Sequence, residues 1–242
     1  MPARERNSIE FKVWGKYALF TDPITKVGGE KFSYQVPTYE ALKGVCKSIY
    51  WKPTLIWVID EVRVMKRIRT QTKGTKPQEF SGGNTLAIYT FLADVEYQVR
   101  AHFVWNESRP ELMADRNEHK HHNVAKRMLE RGGRQDIFLG TRDCQAYVAP
   151  CEFGTGSSDF DNAGELAFGL MFHGFDYPDE VGGDTLFARF SRPTMIDGVI
   201  QFERPDDCAH KKVVRSMHVK AFGVGQNLRA VDDETHDLEA LE

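Results

Sequence analysis

Ile9, Phe11 and Val13 alternate with polar neighbours, which is the period of a half-buried strand and predicts one from near Ser8 toward Phe20. Thr21 to Pro37 shows no period. It carries Asp22-Pro23 and Gly28-Gly29, and reads as a long connection. The spacing then changes. Tyr39, Leu42, Val45, Cys46 and Ile49 lie on one helical face, with Thr38 placed to cap the helix and Pro53 to stop it. Thr54–Ile59 is rich in β-branched and aromatic residues, and Val62 and Val64 continue it as a more polar strand. After a turn at Gly82-Gly83, strands are expected over Thr85–Leu92 and Val95–Trp105, separated by Ala93-Asp94. From Arg116 onward no apolar period is visible and Pro110 lies just upstream, so a loop is expected there. It gives way near His122 to a short helix with Val124, Met128 and Leu129 on one face and Gly132 as its stop. A further strand falls near Ile137–Leu139 or Ala146–Val148.

Strand, helix, strands, helix, strand is the order of an α+β, ferredoxin-like unit with a β-hairpin inserted before its second helix. That unit is expected to occupy residues 1–154. Gly154 to Gly164 is a linker by composition, and only strand patterns follow it: Leu166–Phe175, Thr185–Phe190 and Met195–Phe202. Asp197-Gly198 breaks the last of these and is the strongest short hairpin signal in the chain. A small antiparallel β module is therefore expected over residues 155–215, followed by an acidic, disordered tail at 216–242.

At 242 residues the chain can bury a sizeable core. No apolar run reaches the ~18 residues of a membrane span, and the Arg/Glu-rich start lacks a signal region. Cys46, Cys144, Cys151 and Cys208 show no CxxC spacing, which suits a reduced, cytoplasmic protein with free thiols. The net charge of −3 hides an asymmetry. Residues 232–242 hold six acids and no Lys or Arg, so the remaining body has 32 bases against 29 acids. Arg63, Lys66, Arg67, Arg69, Lys73 and Lys76 lie in a stretch free of acids. Arg116, Lys126, Arg127, Arg131 and Arg134 make a second basic patch. Two such patches suit nucleic acid, although a charge run is also what a solvated strand edge carries.

The chemistry-bearing stretch is His119-Lys120-His121-His122 at the mouth of the basic helix. It sets proton-transfer groups beside fixed cations, as phosphodiester chemistry requires. A solvated polar loop fits the same residues. His119-x-His121 could also reach one metal ion, but no second ligand pair closes a site, so no metal and no cofactor is expected. Alternation along a loop would aim His119 and His121 the same way and His122 oppositely.

Ordered strings run through the chain: Phe20-Thr-Asp-Pro23, Gly28-Gly-Glu30, Val36-Pro-Thr38, Ala41-Leu-Lys-Gly44, Ile49-Tyr-Trp-Lys-Pro53, Gly82-Gly-Asn-Thr85, Arg116-Asn-Glu118, Lys120-His121, Asp136-Ile-Phe-Leu-Gly140, Tyr147-Val-Ala-Pro-Cys151 and Tyr177-Pro-Asp-Glu180. Over about residues 9–210 the chain resembles the CRISPR-associated RAMP protein of the type I-C (Dvulg) system, subtype d of the fifth Cas family. The resemblance implies an endoribonuclease that cuts the repeat hairpin of precursor CRISPR RNA without a metal and leaves a 2′,3′-cyclic phosphate. It implies retention on the 5′ handle of the mature guide, beside other subunits of the interference complex. Duplex DNA is a further candidate partner. The family's catalytic trio falls on Tyr50, Lys120 and His121, with His119 and His122 as possible auxiliaries. Tyr50 would orient the 2′-hydroxyl or donate to phosphate, or else cap the core beside Trp51. A non-enzymatic subunit that only caps the guide is the competing reading.

Overall fold

The structure is a computed structural model, and it describes residues 7–219. The acidic tail expected at 216–242 lies almost wholly outside the described residues. Up to residue 150 the elements are β1 (Ser8–Ala18), α1 (Tyr39–Ile49), β2 (Leu55–Val64), β3 (Thr70–Thr75), β4 (Ala87–Trp105), α2 (Glu118–Glu130), β5 (Ile137–Phe138) and β6 (Gln145–Pro150). Then come β7 (Glu165–Ala167), β8 (Met171–Asp176), the one-turn helix α3 (Pro178–Val181), β9 (Thr185–Ser191), β10 (Thr194–Ile196), β11 (Val199–Gln201) and β12 (His210–Ser216). The result is a mixed α/β protein, mostly antiparallel sheet with few helices.

A nine-stranded sheet runs β5-β6-β1-β4-β2-β11-β10-β7, with β3 also paired to β4. β4 is its spine. Phe11 pairs with Val99 and Val13 with Tyr97 on one side of it, and Trp57 pairs with Phe103 on the other. The inward members of this period-two pattern, Phe11, Val13, Trp57, Val99 and Phe103, are fully buried. Where two strands were expected between residues 85 and 105, one continuous strand forms. Asp94 adopts a left-handed conformation (φ 53°), yet the register with β1 runs through it, Gly15 opposite Val95 and Tyr17 opposite Ala93.

α1 buries Tyr39, Leu42, Val45, Cys46 and Ile49 on the sheet, and the Thr38 hydroxyl accepts from the Ala41 N–H as its cap. α2 begins four residues earlier than expected, because the Asn117 side chain caps it by accepting from the Lys120 N–H at 3.0 Å. Its buried stripe is His121, Ala125 and Leu129, at i, i+4 and i+8; Val124 and Met128 only flank it. Gly132 (φ 85°) ends the helix where expected.

The segment after residue 155 does not pair as a separate module. β11 hydrogen-bonds to β2, Ile200 opposite Val62, and carries the β10–β11 hairpin and β7 onto the main sheet. The hairpin turn is Asp197-Gly198, both with positive φ (46° and 85°), as its sequence demands. Only β12-β9-β8 form a sheet of their own. α3 ties that sheet to α1 through Glu180, which is ion-paired with Lys43 and, at 2.9 Å, with Lys47. Among the described residues no helix is long and apolar enough to cross a membrane.

Candidate active site

Tyr50 is the residue on which α1 stops. Its backbone turns extended (φ −157°, ψ 127°), its N–H still donates to the Cys46 carbonyl, and its own carbonyl accepts from the Trp57 indole at 2.7 Å. The ring is therefore locked at a helix–strand junction. His121 arrives from the first turn of α2, on the helix's buried stripe, and is fully enclosed (0% exposed). Its ring sits among Tyr50, Phe103 and Trp105. The Tyr50 hydroxyl and His121 Nδ1 are 2.8 Å apart.

The other imidazole nitrogen fixes the direction of that bond. His121 Nε2 lies 2.7 Å from the backbone carbonyl of Asp115, which can only accept. In a neutral ring the proton is thus on Nε2, Nδ1 is the acceptor, and the Tyr50 hydroxyl donates. Burial first, and then the negative charge of Asp115, raise the Tyr50 hydroxyl above the ordinary tyrosine range, so it stays protonated at neutral pH.

Asp115 closes the short helical turn Pro110–Asp115 and gathers the site. Its carboxylate is ion-paired with Lys120, accepts from the Thr54 hydroxyl at 2.9 Å, and lies 3.4 Å from His121 Nε2. The Lys120 and Thr54 hydrogen bonds, in that order, hold its carboxyl below the usual carboxylate range. Thr54 and the carboxylate of Asp115 gave no signal as a pair in the sequence, since 61 positions separate them. Lys120 itself is half exposed.

The remaining expected residues divide. Being helical, His119 and His121 are ~200° apart around the axis, so they point to opposite sides rather than the same one. His119 is exposed; His122 is half-buried, with Nε2 donating to the Ser8 carbonyl at 3.0 Å. Among the described residues no three His, Cys, Asp or Glu side chains converge on a point that could hold a metal.

Lys126, Arg127, Arg131 and Arg134 are exposed on and just after α2. Arg116 is turned onto Glu107 and the Asn106 carbonyl. Lys66 and Arg69 share Asp94, whereas Arg67, Lys73 and Lys76 have no ion-pair partner among the described residues. Arg63 does not belong to the patch. It is buried, and its guanidinium donates to the carbonyls of Thr155 and Gly156 and to Asp161, pinning the Gly-rich loop across the outer face of the sheet.

Residues 8–203 match the family model described as CRISPR-associated protein (Cas_Cas5), in its Cas5d form. The chain belongs to the Cas5d family. It is 32% identical over 167 residues to the CRISPR pre-crRNA endoribonuclease Cas5d of Mannheimia succiniciproducens, covering 59% of this chain and 72% of that one. The Cas5d of Thermus thermophilus, of the same description, is 30% identical over 176 residues, covering 68% and 73%. Two solved structures are also similar, each covering 85% of this chain and 96% of its own: a CRISPR-associated protein (TM-score 0.70, 34% identity) and SMU1763c from Streptococcus mutans (TM-score 0.67, 35% identity). In this Cas5d chain the matched span includes Tyr50, Thr54, Asp115, Lys120 and His121.

Proposed function

We propose that this chain is an endoribonuclease that cuts the repeat of precursor CRISPR RNA and then stays on the 5′ handle of the product, in the cytoplasm, beside other Cas subunits. Its Cas5d membership supports that reading, as do the two relatives named CRISPR pre-crRNA endoribonuclease. The order β6-β1-β4-β2, with α1 after β1 and α2 after β4, supports a ferredoxin-like core of the RAMP type.

The single observation that carries the catalytic assignment is the Tyr50 hydroxyl donating to His121 Nδ1. In metal-free RNA cleavage the neighbouring 2′-hydroxyl attacks phosphorus, the 5′-oxygen leaves as a hydroxyl with a proton taken from water, and a 2′,3′-cyclic phosphate forms. The Tyr50 oxygen keeps lone pairs free to accept from that 2′-hydroxyl. As the nucleophile loses its proton, Tyr50 passes its own to Nδ1, and the imidazolium is stabilised by the Asp115 carbonyl on Nε2–H. Lys120 stabilises the charge growing on the non-bridging oxygens. In the free protein its ammonium is held by Asp115, and an arriving phosphate replaces that carboxylate.

One observation favours a second reading, a guide-capping subunit without activity: His121 is fully enclosed with both nitrogens satisfied. The purified chain, incubated with its own repeat RNA in chelator, decides between them. Products ending in cyclic phosphate establish metal-free cleavage. Activity that needs an added divalent ion, or a 3′-hydroxyl end, overturns the mechanism, and no cutting at all leaves the capping subunit.

A further inference from the structure

At the far end of β4 from Tyr50 and His121, a cleft of about 480 Å³ opens between β1, β3 and β4. Its lining includes Tyr17 of β1, Lys73 of β3 and Tyr89 of β4, with Lys31 from the connection before α1 and Asp143 as the single acid. Tyr89 and Phe103 lie toward opposite ends of β4, and Phe103 packs on the His121 ring, so the cleft is remote from that ring.

The cleft is built from rings and ammonium groups. Lys73 Nζ sits 3.2 Å from the centre of the Tyr17 ring and 5.4 Å from that of Phe91. Lys31 Nζ lies 4.8 Å over Tyr89, and Lys16 Nζ 5.5 Å from Tyr17. Backbone pairing fixes these positions: Lys73 is directly opposite Tyr89 in the β3–β4 ladder, and the Thr90 N–H donates to the Lys31 carbonyl at 2.8 Å. Among the described residues none of Lys16, Lys31, Lys73 and Lys76 has an ion-pair partner. Three like charges, on Lys16, Lys31 and Lys73, gather around π-faces and repel one another, and the rings only partly offset that. One ligand class relieves both features at once, a flat ring carrying a phosphate.

We propose that this cleft is a second RNA site, which holds an unpaired nucleotide of the precursor with its base on Tyr89 or Tyr17 and its phosphate on Lys31, Lys73 and Lys76. On binding, the ammonium groups leave the ring faces for the phosphate and the base takes their place. Stacking of this kind tolerates any base, so the site grips single-stranded RNA without reading sequence. Asp143 at the rim repels phosphate and so sets which way the nucleotide lies. The inference rests on the reading of this chain as an RNA-cutting protein, but its test does not depend on cutting.

The probe is an oligouridylate carrying one 4-thiouridine, titrated onto the full chain by fluorescence polarisation over a range of salt and then photo-cross-linked. Tyr89→Ala should weaken binding roughly tenfold while Tyr89→Phe stays near wild type. Lys31→Gln and Lys73→Gln, both half-buried with no ion-pair partner among the described residues, should each flatten the salt slope by ~0.7. Cross-links should map to peptides containing Tyr17 or Tyr89. Unchanged slopes in both lysine variants, or cross-links confined to α2, overturn the cleft whether or not Tyr89→Ala folds. A wild type that fails to cut its own repeat overturns the endoribonuclease reading instead, and leaves the oligouridylate result standing.

Discussion

The Tyr50 hydroxyl donates to His121 Nδ1 across 2.8 Å, although the two residues lie 71 positions apart and enter from different helices. If this bond moves a proton, removing the hydroxyl alone should stop the chemistry. Tyr50→Phe keeps the buried ring and should fold normally. Single-turnover cleavage should fall about 100-fold or more while repeat-RNA affinity stays within about twofold. An equal loss of binding and cutting would assign Tyr50 to structure.

The three histidines should separate by their surroundings. His121→Gln should be the most damaging to cleavage. His119→Ala should cut like wild type, since that ring faces solvent. His122→Ala should cut but lose about 1 kcal/mol of stability with its hydrogen bond to the Ser8 carbonyl. Cleavage rates and urea midpoints together distinguish the three; a dead His119→Ala enzyme with an active His121→Gln one would move the proton-transfer role.

Asp115 guards Lys120. Its carboxyl is held below the usual range, so the contact is present above the ordinary carboxylate pKa and lost only as pH falls through the lowered value. Mild acid therefore does not release Lys120, whereas a competing phosphate does. Asp115→Asn keeps a side-chain acceptor for Thr54 but loses the charge, and repeat RNA should bind a few-fold tighter in a filter assay. Weaker binding would mean that Asp115 organises the RNA surface instead.

Neutralising two of Lys126, Arg127, Arg131 and Arg134 should flatten the salt dependence of RNA binding by ~0.7 per lost single-strand contact. Arg63→Gln should leave that slope alone. It should instead destabilise the fold by about 2–3 kcal/mol, because the loop at 154–161 loses its buried charged anchor. Denaturation and salt titration of the same variants separate the two roles.

His173 sets an acid limit on stability. Burial first, then the Arg189 charge, push its pKa down to about 4, and Lys43 adds to this; Asp176 and the Glu203 carbonyl act against them. The unfolded chain binds a proton near 6.5 while the folded one refuses it until about 4, so stability falls across that window as pH drops. The loss attributable to this residue is roughly 3 kcal/mol. His173→Gln should flatten the urea midpoint between pH 7 and pH 4.5, and an unaltered profile would count against it.

Much of this architecture was legible where local chemistry decides it. Thr38 and Pro53 bracket α1, and Asp197-Gly198 dictates a hairpin whatever surrounds it. The failures lie where a distant partner decides. α2 starts at Glu118 because Asn117 caps it and because a histidine, normally read as polar, fills the core position under Tyr50. Arg63 counts as a surface cation in any reading of charge runs, and only the loop 92 positions later buries it. The division at residue 155 followed composition, but sheet pairing does not respect composition. Tyr50, Lys120 and His121 were reached through ordered strings, and what the strings omit is Asp115, which touches two of the three.

The ladder between β2 and β11 bears on how this chain is made. Glu61–Arg63 is an interior stretch of the finished sheet, yet its partner, Val199–Gln201, is separated from it by more than half the sequence. During synthesis that edge waits with its N–H and C=O groups open until the last hairpin emerges. A fragment ending near residue 154 would keep Tyr50, Lys120 and His121 but present a bare hydrogen-bonding edge. Such a fragment should self-associate rather than work, so the hairpin that completes the sheet last is also what keeps the first half of the protein soluble.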